Sequence, residues 1–406
     1  MIGAGIIGSS AAFALAERGF RVTLFDRDQP GLTGPSRGNA GHVVGSGIFP
    51  LAEPGIAQKG LRMLLDPDAP LKIPLAYAGR IIPWLWQFWR ASGGAAYRRS
   101  VEALTALSVG TVEESEALFA RAGMPERIKR APALYLYESE ASYAADRSHW
   151  AERARSGLQS SVVDADEIGR LEPSLAPIFV RGVISHDWAI VTDPLEVVRG
   201  YVAAAQRLGA VLERASVDGV TGADDGVSVS MGETVQTFDA VLIAAGAWSR
   251  ALAERAGDHL PVEAERGYNL TYAGSAPHLG RPLVFADRGV VATQLEPGLR
   301  IGGWTELGGT ALPPNAARWR KMQSIAAAVL PELNGRPGTE WMGHRPSMPD
   351  SVPVISRSLQ NPRIFYAVGH GHYGLSFSAR TARIVGDIIA EAADARHQAY
   401  SIARFH

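Results

Sequence analysis

The chain begins with a glycine pattern that is typical of a nucleotide-binding turn. Gly3, Gly5 and Gly8 stand in the order G-x-G-x-x-G, directly before an alanine-rich stretch of helical composition. In such a turn the first glycine leaves a strand tightly, the second lets the backbone approach a pyrophosphate, and the third lets the helix pack close to the sheet. The free N–H groups at the start of that helix then face the phosphates.

The residues after this turn support a dinucleotide site. Gly19 can end the helix, and residues 20–26 are typical of the next strand, which ends at Asp26. An acidic residue at this position holds a ribose hydroxyl in dinucleotide-binding folds. The order of strand, turn, helix, strand and acid therefore favours a dinucleotide site over a structural turn of similar composition. Because only two residues precede Gly3, we expect the native chain to begin a few residues earlier.

The composition indicates a globular protein without thiol chemistry. Hydrophobic residues make up 46% of the 406 residues, and a net charge of -1 gives no reason to expect a nucleic-acid partner. The chain has no cysteine, which excludes disulfides, thiolate metal sites and a thioether link to a cofactor. Redox chemistry would therefore need a bound cofactor, and no metal site is predicted. Since no secretory signal is visible, we expect a cytoplasmic protein.

Three further glycine-rich stretches lie far from the first one: residues 31–42, 244–248 and 369–374. A nicotinamide site is normally completed within one contiguous αβ domain. A larger cofactor that contacts several separate segments, as FAD does, explains this spread better. Residues 365–392 are predicted to form a strand, a turn and a helix. The N-terminus of this helix would be a second one that faces a negatively charged group.

The most apolar region is residues 73–92, and its run at residues 81–89 contains three tryptophans and is flanked by Arg80 and Arg90. Arg80 and Pro83 interrupt the region, and the run is too short to span a bilayer. One interpretation is an interfacial membrane anchor, which would place the protein at the inner face of the membrane through residues 80–90. The other is a helix packed inside the protein, and the sequence favours this second interpretation.

Four segments resemble FAD-dependent D-amino-acid dehydrogenases of the small-subunit type, within the wider group of D-amino-acid, sarcosine and glycine oxidases. They are GAGIIGSSAAFALAERGFRVTLFDRD, PSRGNAGHVVGSGIFPLAEPG, RGYNLTY, and GHRPSMPDSVPVI with GHGHYGLSFSA, and together they span residues 3–379. The last turn carries HGHYG, where the group more commonly has a single histidine. Similar subunits also occur in dehydrogenases of proline-like imino acids, including hydroxyproline.

The resemblance implies an α/β plus α+β architecture with two interleaved domains. A Rossmann-type FAD-binding domain is expected to comprise residues 1–76, 190–258 and 342–406. A mostly antiparallel-sheet substrate domain is expected to comprise residues 77–189 and 259–341. The active site would then lie at the junction of the two domains.

FAD is expected to bind without a covalent link. The expected cofactor-binding residues are Gly3, Gly5, Ile6, Ile7, Gly8, Asp26, Arg27, Ser36, Asn39, Ala40, Gly41, His42, Val217, Ala245, Gly246, Trp248, Arg345, Gly371, His372, Tyr373, Gly374, Leu375 and Ser376. The helix that begins near residue 374 would direct its positive end at the reduced flavin.

The resemblance implies oxidation of a D-amino acid or cyclic imino acid, in which hydride leaves Cα for flavin N5. The substrate carboxylate needs a fixed cation, and a planar guanidinium can hold it by two parallel bonds. The amine should lose a proton before the hydride leaves, and histidine is a suitable base near neutral pH. The predicted catalytic residues are Arg345 for the carboxylate, Tyr268 as its second partner, His42, His370 and His372 as candidate bases, and Tyr373 in the same turn.

Two alternatives remain at this point. One is an oxygen-using amine oxidase of the glycine or sarcosine type in the same fold. The other is a non-catalytic FAD-binding subunit that relays electrons in a larger complex. For the main interpretation we expect an amino-acid or imino-acid substrate, a quinone or another redox protein as electron acceptor, and a place in a hetero-oligomer.

Overall fold

The computed structural model describes residues 1–45, 48–56, 71–223, 225–274, 277–392 and 395–406. Within these ranges the helices are α1 (Ile6–Glu17), α2 (Leu75–Ala91), α3 (Gly94–Ser108), α4 (Thr111–Arg121), α5 (Glu140–Arg155), α6 (Ala165–Leu171), α7 (Pro194–Arg207), α8 (Ser249–Arg255), α9 (Ala316–Val329) and α10 (Gly374–Ile389). The strands are β1 (Thr23–Asp26), β2 (His42–Val44), β3 (Leu71–Lys72), β4 (Ile128–Arg130), β5 (Ala133–Tyr137), β6 (Ser160–Asp164), β7 (Arg181–Ser185), β8 (Trp188–Val191), β9 (Val211–Arg214), β10 (Gly219–Ala223), β11 (Gly226–Met231), β12 (Thr234–Phe238), β13 (Val241–Ile243), β14 (Glu263–Tyr272), β15 (Leu283–Phe285), β16 (Val290–Leu295), β17 (Gly298–Leu307), β18 (Thr339–Ser347), β19 (Val354–Arg357) and β20 (Ile364–Val368).

Ile2 lies at the centre of a mainly parallel sheet. It bridges Phe25 of β1 on one side and Ile243 of β13 on the other, both in parallel. Strand β9 continues the sheet beyond β1, while β20 and then the antiparallel β19 continue it beyond β13. This sheet, with the glycine turn and α1 between its first two strands, is the Rossmann-type unit that the sequence predicted.

Helix α1 is buried from Ile6 to Ala16. It packs against α10 and α7. Its alanines and serines are small enough for neighbouring helices to approach closely, so the burial follows directly from the composition. The N-terminus of α1 is thereby fixed beside the end of β13, where the glycine turn begins.

The second large sheet is mostly antiparallel and has the strand order β18-β14-β17-β16-β15-β5-β7-β6, with β3 pairing with β17. Only the pairs β15 with β5 and β17 with β3 are parallel among its described strands. Helix α9 covers one face, where Met322 and Val329 are fully buried. Two smaller sheets, β10-β11-β12 and β2-β8-β4, complete the described architecture.

The predicted fold class is confirmed by these two sheets. We keep the predicted domain boundaries as a proposal. The boundary at residue 342 falls inside β18, which pairs with β14 in the second sheet up to Ser347. The boundaries at residues 77 and 190 fall inside α2 and β8.

Helix α2 contains the apolar stretch, and it is packed on one face only. Ile81 and Trp84 are buried, and the Trp84 indole donates a hydrogen bond to the Pro261 carbonyl at 3.1 Å. Another face leaves four large apolar side chains exposed: Leu75, Ile82, Trp86 and Trp89. The prediction of a packed helix therefore holds for one face of α2 and not for the other. None of the described helices combines the length and the apolar character needed to cross a membrane.

Candidate active site

A cavity of about 760 Å³ brings the four glycine-rich segments together. Its walls include Gly5 from the first segment, Ser36 from the second, Gly246 from the third and Gly374 from the fourth. Strands of both large sheets contribute to the lining. A cavity of this size is in the range that proteins use for small ligands and cofactors.

The three glycines of the N-terminal turn differ in what an added side chain would contact. Gly3 has a positive φ of 100°, and a side chain there would overlap the backbone of Ala244. A side chain at Gly8 would overlap the carbonyl oxygen of Gly3. At Gly5, in contrast, an added carbon meets only the Ser36 hydroxyl, at 3.4 Å. The protein itself requires the first and third glycines, while the second leaves open the place where a pyrophosphate would approach.

Asp26 is held beside this turn. Its Oδ2 accepts a hydrogen bond from the Ala4 N–H at 2.7 Å, and its Oδ1 accepts one from the Asp28 N–H at 3.0 Å. A carboxylate can accept further bonds, and Asp26 lines the cavity. Its position fits the predicted contact with a ribose hydroxyl.

The second glycine-rich segment is fastened to both halves of the molecule. The Ser36 hydroxyl accepts a hydrogen bond from the Ile6 N–H at 3.0 Å, at the start of α1. The Asn269 side chain on β14 donates to the Gly38 carbonyl at 2.8 Å. The buried guanidinium of Arg300 donates to the carbonyl of Asn39 at 2.6 Å. Arg300, which the sequence did not single out, therefore supports the loop.

Nearly all of the predicted cofactor-binding residues line the cavity, and Gly8 and Gly41 are the two that do not. Gly41 has a positive φ of 78°, and its carbonyl accepts a hydrogen bond from the Val191 N–H at 2.8 Å. Both glycines shape the backbone that carries the lining residues. Arg27 lies 3.9 Å above the ring of Trp248, so these two predicted residues support each other.

The predicted carboxylate-binding arginine lies in a buried polar cluster. Arg345 on β18 pairs in register with Glu265 on β14, and its Nη1 lies 3.1 Å from the Glu265 Oε1. The His372 Nε2 is 2.7 Å from the same oxygen, and the Ser347 hydroxyl donates to Oε2 at 2.7 Å. Glu265 is only 1% exposed. One carboxylate therefore holds two predicted catalytic side chains.

Glu265 remains ionised in this cluster. Burial alone would raise its pKa, but the charges and hydrogen bonds of His372, Arg345 and Ser347 outweigh burial and hold the pKa of the carboxyl well below its usual range. The sequence analysis missed this residue. The available signal was a charged side chain within an otherwise largely apolar strand, which is unusual unless the charge is paired.

Arg345 keeps part of its hydrogen-bonding capacity. All of its contacts with the described residues use Nη1. Its Nε and Nη2 therefore have no hydrogen-bond acceptor among those residues, and the side chain lines the cavity. These two N–H groups form the edge of a guanidinium that binds a carboxylate by two parallel bonds. A side chain at Gly267 would overlap this guanidinium, so glycine is needed to make room for it.

Two of the three candidate histidines are neutral, His370 fully buried and His42 half-buried at the cavity. The His370 Nε2 is 2.9 Å from the Thr381 hydroxyl, and the His42 Nε2 is paired with the Thr293 hydroxyl. Burial lowers the pKa of each imidazole to about 3. Such a low pKa makes both side chains poor proton acceptors at neutral pH. His372 differs because 31% of its side chain is exposed and its partner is a carboxylate.

The Tyr268 hydroxyl is already used within the protein. It donates a hydrogen bond to the Glu306 carboxylate at 3.1 Å and accepts one from the Asn315 N–H at 3.1 Å. Side chains alternate between the two faces of a strand, so Tyr268 and Glu265 lie on opposite faces of β14. Tyr268 nevertheless lines the cavity, and its role as a second partner of the substrate stays a prediction.

Tyr373 lines the cavity beside His372. It belongs to the short turn Gly371–Tyr373 that precedes α10, and its ring centroid is 6.1 Å from that of His372. Burial raises the pKa of its hydroxyl to about 12, so it is protonated at neutral pH. The part of the chain that the structure describes contains no group of three or more His, Asp or Glu side chains that could hold a metal ion.

Comparisons with known proteins agree with this geometry. The sequence profile of the DAO family, described as FAD dependent oxidoreductase, matches residues 1–388. The chain is 33% identical over 396 residues to a protein of Bradyrhizobium diazoefficiens named D-amino-acid oxidase, which covers 96% of this chain and 94% of the relative. It is 27% identical over 411 residues to a D-amino acid dehydrogenase of Sinorhizobium medicae, with coverage of 96% and 95%.

Solved structures show the same fold. A glycine oxidase from Geobacillus kaustophilus superposes with a TM-score of 0.75 at 21% identity and covers 100% of this chain and 96% of that one. The family profile and the relatives define an FAD-dependent oxidoreductase. The chain belongs to the DAO family, which confirms the predicted family, cofactor and enzyme class.

Proposed function

We propose that the protein oxidises a D-amino acid or a cyclic imino acid with bound FAD. The observation that carries this proposal is Arg345, whose Nη1 is anchored by Glu265 while Nε and Nη2 have no acceptor among the described residues. That edge fits one carboxylate at a fixed place in the cavity. The names of the two relatives, D-amino-acid oxidase and D-amino acid dehydrogenase, support the choice of substrate class.

FAD, when bound, supplies the hydride acceptor. The residues of this chain bind and orient the substrate, which lowers the entropic cost of bringing Cα to the reacting position. Arg345 fixes the carboxylate, and Glu265 is a positioning residue that keeps the guanidinium in place. The Tyr373 side chain lines the same cavity, and its hydroxyl stays protonated at neutral pH because its pKa is raised to about 12.

We assign the proton transfer to His372. Its Nε2 lies 2.7 Å from the Glu265 carboxylate and 2.9 Å from the Arg345 Nη1. We assign the ring proton to Nε2, because the carboxylate can accept it. Its Nδ1 then carries a lone pair and makes no hydrogen bond with any described residue. The substrate ammonium donates a proton to Nδ1, after which the neutral amine can lose hydride from Cα. The low pKa values of His42 and His370 favour His372 for this role.

The test is anaerobic reduction of the FAD-loaded protein. D-amino acids, D-proline, sarcosine and the hydroxyprolines are mixed with it in turn, and the absorbance of oxidised flavin is followed. We expect bleaching by a D-amino or imino acid, and Arg345→Ala should raise the half-saturating concentration at least about 100-fold, because it removes a buried charge pair with the substrate. Arg170→Ala, at a residue that is 72% exposed on α6, is the matched control.

If no amino acid bleaches the flavin although dithionite does, the amino-acid proposal is wrong. The non-catalytic relay subunit then becomes the better hypothesis. Bleaching followed by rapid reoxidation in air would favour the oxidase alternative over the dehydrogenase.

We favour a membrane quinone as the electron acceptor because of the exposed apolar face of α2. Trp86 and Trp89 are 58% and 50% exposed, and their rings lie 4.9 Å apart. Arg80 and Arg90 are exposed on the same helix, so the surface combines apolar side chains with positive charge. This combination fits the surface of an anionic bilayer. A location at the inner face of the membrane follows from this proposal, while membership of a hetero-oligomer stays a prediction.

Vesicle co-sedimentation tests the membrane contact. We expect binding to phosphatidylglycerol vesicles, weaker binding to phosphatidylcholine vesicles, and loss of binding in the double variant Trp86→Ser, Trp89→Ser. Phe20→Ser, at an aromatic residue that is 39% exposed outside α2, is the control. Equal binding of the double variant and the wild type would overturn this part of the proposal.

A further inference from the structure

Arg153, in the last turn of α5, also lines the cavity. Its Nε and Nη1 are buried and have no hydrogen-bond partner among the described residues. No described residue forms a hydrogen bond or an ion pair with this guanidinium. A guanidinium carries five N–H donors and a permanent charge, and buried charges in proteins are normally paired. The described residues therefore provide no anion to pair with this arginine.

Three aromatic rings surround Arg153. Its Cζ lies 4.6 Å from the ring centroid of Trp150, 5.2 Å from that of Phe49 and 5.6 Å from that of Tyr135. Cation–π contacts of this kind fix a guanidinium and partly compensate for its lost hydration. They do not satisfy the N–H groups, which lie in the plane of the guanidinium. The rings therefore hold Arg153 in place and leave its hydrogen-bonding edge to a ligand.

The acidic residues of α5 are all committed elsewhere. Glu140 pairs with Arg181, Asp146 with His149 at 2.8 Å, and Glu152 with the neighbouring Arg155. The helix thus carries carboxylates within a few residues of Arg153, yet none of them neutralises it. This argues against a purely structural arginine, because a structural one would be expected to take the nearest carboxylate.

Arg153 and Arg345 both influence the pKa of the Tyr373 hydroxyl. The Tyr373 hydroxyl, whose pKa is raised mainly by burial, is influenced in the opposite direction by the positive charges of both arginines. All three side chains line one cavity. The two cationic groups therefore border the same space, one on the second sheet and one on α5.

We propose that Arg153 binds a second carboxylate of the substrate, so that the enzyme prefers dicarboxylic amino acids over neutral ones. This inference rests on the proposed function, because it assigns the first carboxylate to Arg345. The second carboxylate belongs either to the side chain, as in D-aspartate and D-glutamate, or to a substituent on the amine, as in iminodiacetate. The chemistry recognised is the same, and Arg153 is the residue that determines the preference.

Substrate competition tests the assignment. The FAD-loaded wild type, Arg153→Met and Arg153→Lys are reduced anaerobically with D-alanine, D-aspartate, D-glutamate and iminodiacetate. We expect the wild type to be half-reduced by one of the dicarboxylates at a concentration at least about 10-fold below that of D-alanine. Arg153→Met should raise that concentration about 100-fold and change the D-alanine value less than about 3-fold. The dicarboxylate that is preferred identifies the source of the second carboxylate.

Two controls keep the result interpretable. Arg155→Met removes an arginine whose side chain is 71% exposed on the same helix, and it should leave every value unchanged. Arg153→Lys retains the charge and should recover part of the dicarboxylate preference, which a variant that merely misfolds would not do. If D-alanine and the dicarboxylates behave alike in the wild type, or if Arg153→Met impairs both equally, the assignment is wrong.

A binding measurement separates this inference from the proposed function. The thermal stability of the oxidised holoenzyme is recorded with succinate, glutarate and butyrate, none of which can be oxidised as an amino acid. We expect a dicarboxylate to raise the melting temperature more than butyrate does, and Arg153→Met to abolish the difference. If no amino acid reduces the flavin, the proposed function fails, whereas equal shifts with all three acids would overturn only the role of Arg153.

Discussion

At the residue scale, the active site depends on Glu265, which the sequence did not single out. Its carboxylate contacts Arg345, His372, Ser347 and Thr305 within 3.1 Å. A buried anion with four such partners is fixed in position, and it fixes its partners in return. Arg345 was predictable from its sequence motif, but Glu265 was not, because its role follows from the register of two strands about 80 residues apart in the chain.

Gly267 provides a test at this scale. An added methyl group would overlap the Arg345 guanidinium, so Gly267→Ala should displace the arginine from its position over β14. We expect the substrate concentration for half-reduction to rise about 5- to 100-fold, since overpacking of this kind costs about 1–3 kcal/mol. Gly169→Ala, where an added carbon meets nothing within 4 Å, is the control. An unchanged half-saturating concentration would show that Arg345 does not bind the substrate.

The buried histidines predict a pH dependence of stability. Burial lowers the pKa of His370 from 6.5 to about 3, so protonation favours the unfolded chain. The stabilisation is complete above about pH 6.5 and is lost as the pH falls towards 3, at up to about 1.4 kcal/mol per pH unit. His370→Gln should reduce the slope of the unfolding free energy between pH 6 and 4, as measured by urea denaturation. His186→Gln, at an exposed histidine, should leave the slope unchanged.

At the element scale, the turn before α1 divides its glycines between folding and ligand binding. Gly3 and Gly8 are required by contacts within the protein, whereas Gly5 borders the cavity. The glycine pattern could be predicted from the sequence, and so could the helix that follows it. The partner of each glycine could not, because Ala244 and Ser36 come from other segments.

Two alanine variants distinguish these roles. Gly8→Ala should lower the melting temperature of the FAD-free protein, because the added carbon overlaps the Gly3 carbonyl in a packed helix start. Gly5→Ala should leave that temperature nearly unchanged and weaken FAD binding, measured by quenching of flavin fluorescence, by at least about 10-fold, given a loss of about 1–3 kcal/mol from steric overlap. The reverse pattern would contradict the assignment of the pyrophosphate to Gly5.

Strand β14 shows how far a motif alone can place side chains. The motif RGYNLTY was recognised, and its tyrosine, which lines the cavity, was predicted to bind the substrate. Strand alternation puts Tyr268 on the face opposite Glu265, where its hydroxyl donates to Glu306. A motif identifies the strand that borders a site, but the face that each side chain takes depends on register, and register is set by partner strands.

At the scale of the whole molecule, four segments spread from Gly3 to Ser376 line one cavity. The spread was visible in the sequence, and it led correctly to FAD as the cofactor. The unpaired Arg153 was not visible, because α5 carries several other arginines and glutamates. Only the aromatic surroundings and the pairing of those neighbours distinguish it.

This arrangement makes the stability of the fold depend on the cofactor. A ligand that binds only the folded state adds free energy according to its concentration relative to its dissociation constant, about 2.7 kcal/mol at a hundredfold excess. Removal of FAD should therefore lower the melting temperature by about 5 °C or more. Adding FAD back should restore it, whereas adenosine diphosphate, which reaches only part of the cavity, should restore less. Identical melting temperatures with and without FAD would contradict this linkage.

Strand β14 has a consequence for attempts to evolve new activities from this chain. Its odd-numbered positions support the site, because Glu265 anchors Arg345, Gly267 makes room for the guanidinium and Asn269 holds the Gly38 loop. Arg266 and Tyr268, at the even-numbered positions, both contact the buried Glu306. A mutant library that varies the odd positions changes how Arg345 and the glycine-rich loop are held, and with them the substrate range. One that varies the even positions mostly yields clones that fail to express. Selection on this strand should therefore alternate in sequence, with every second codon open to change and the codons between held constant.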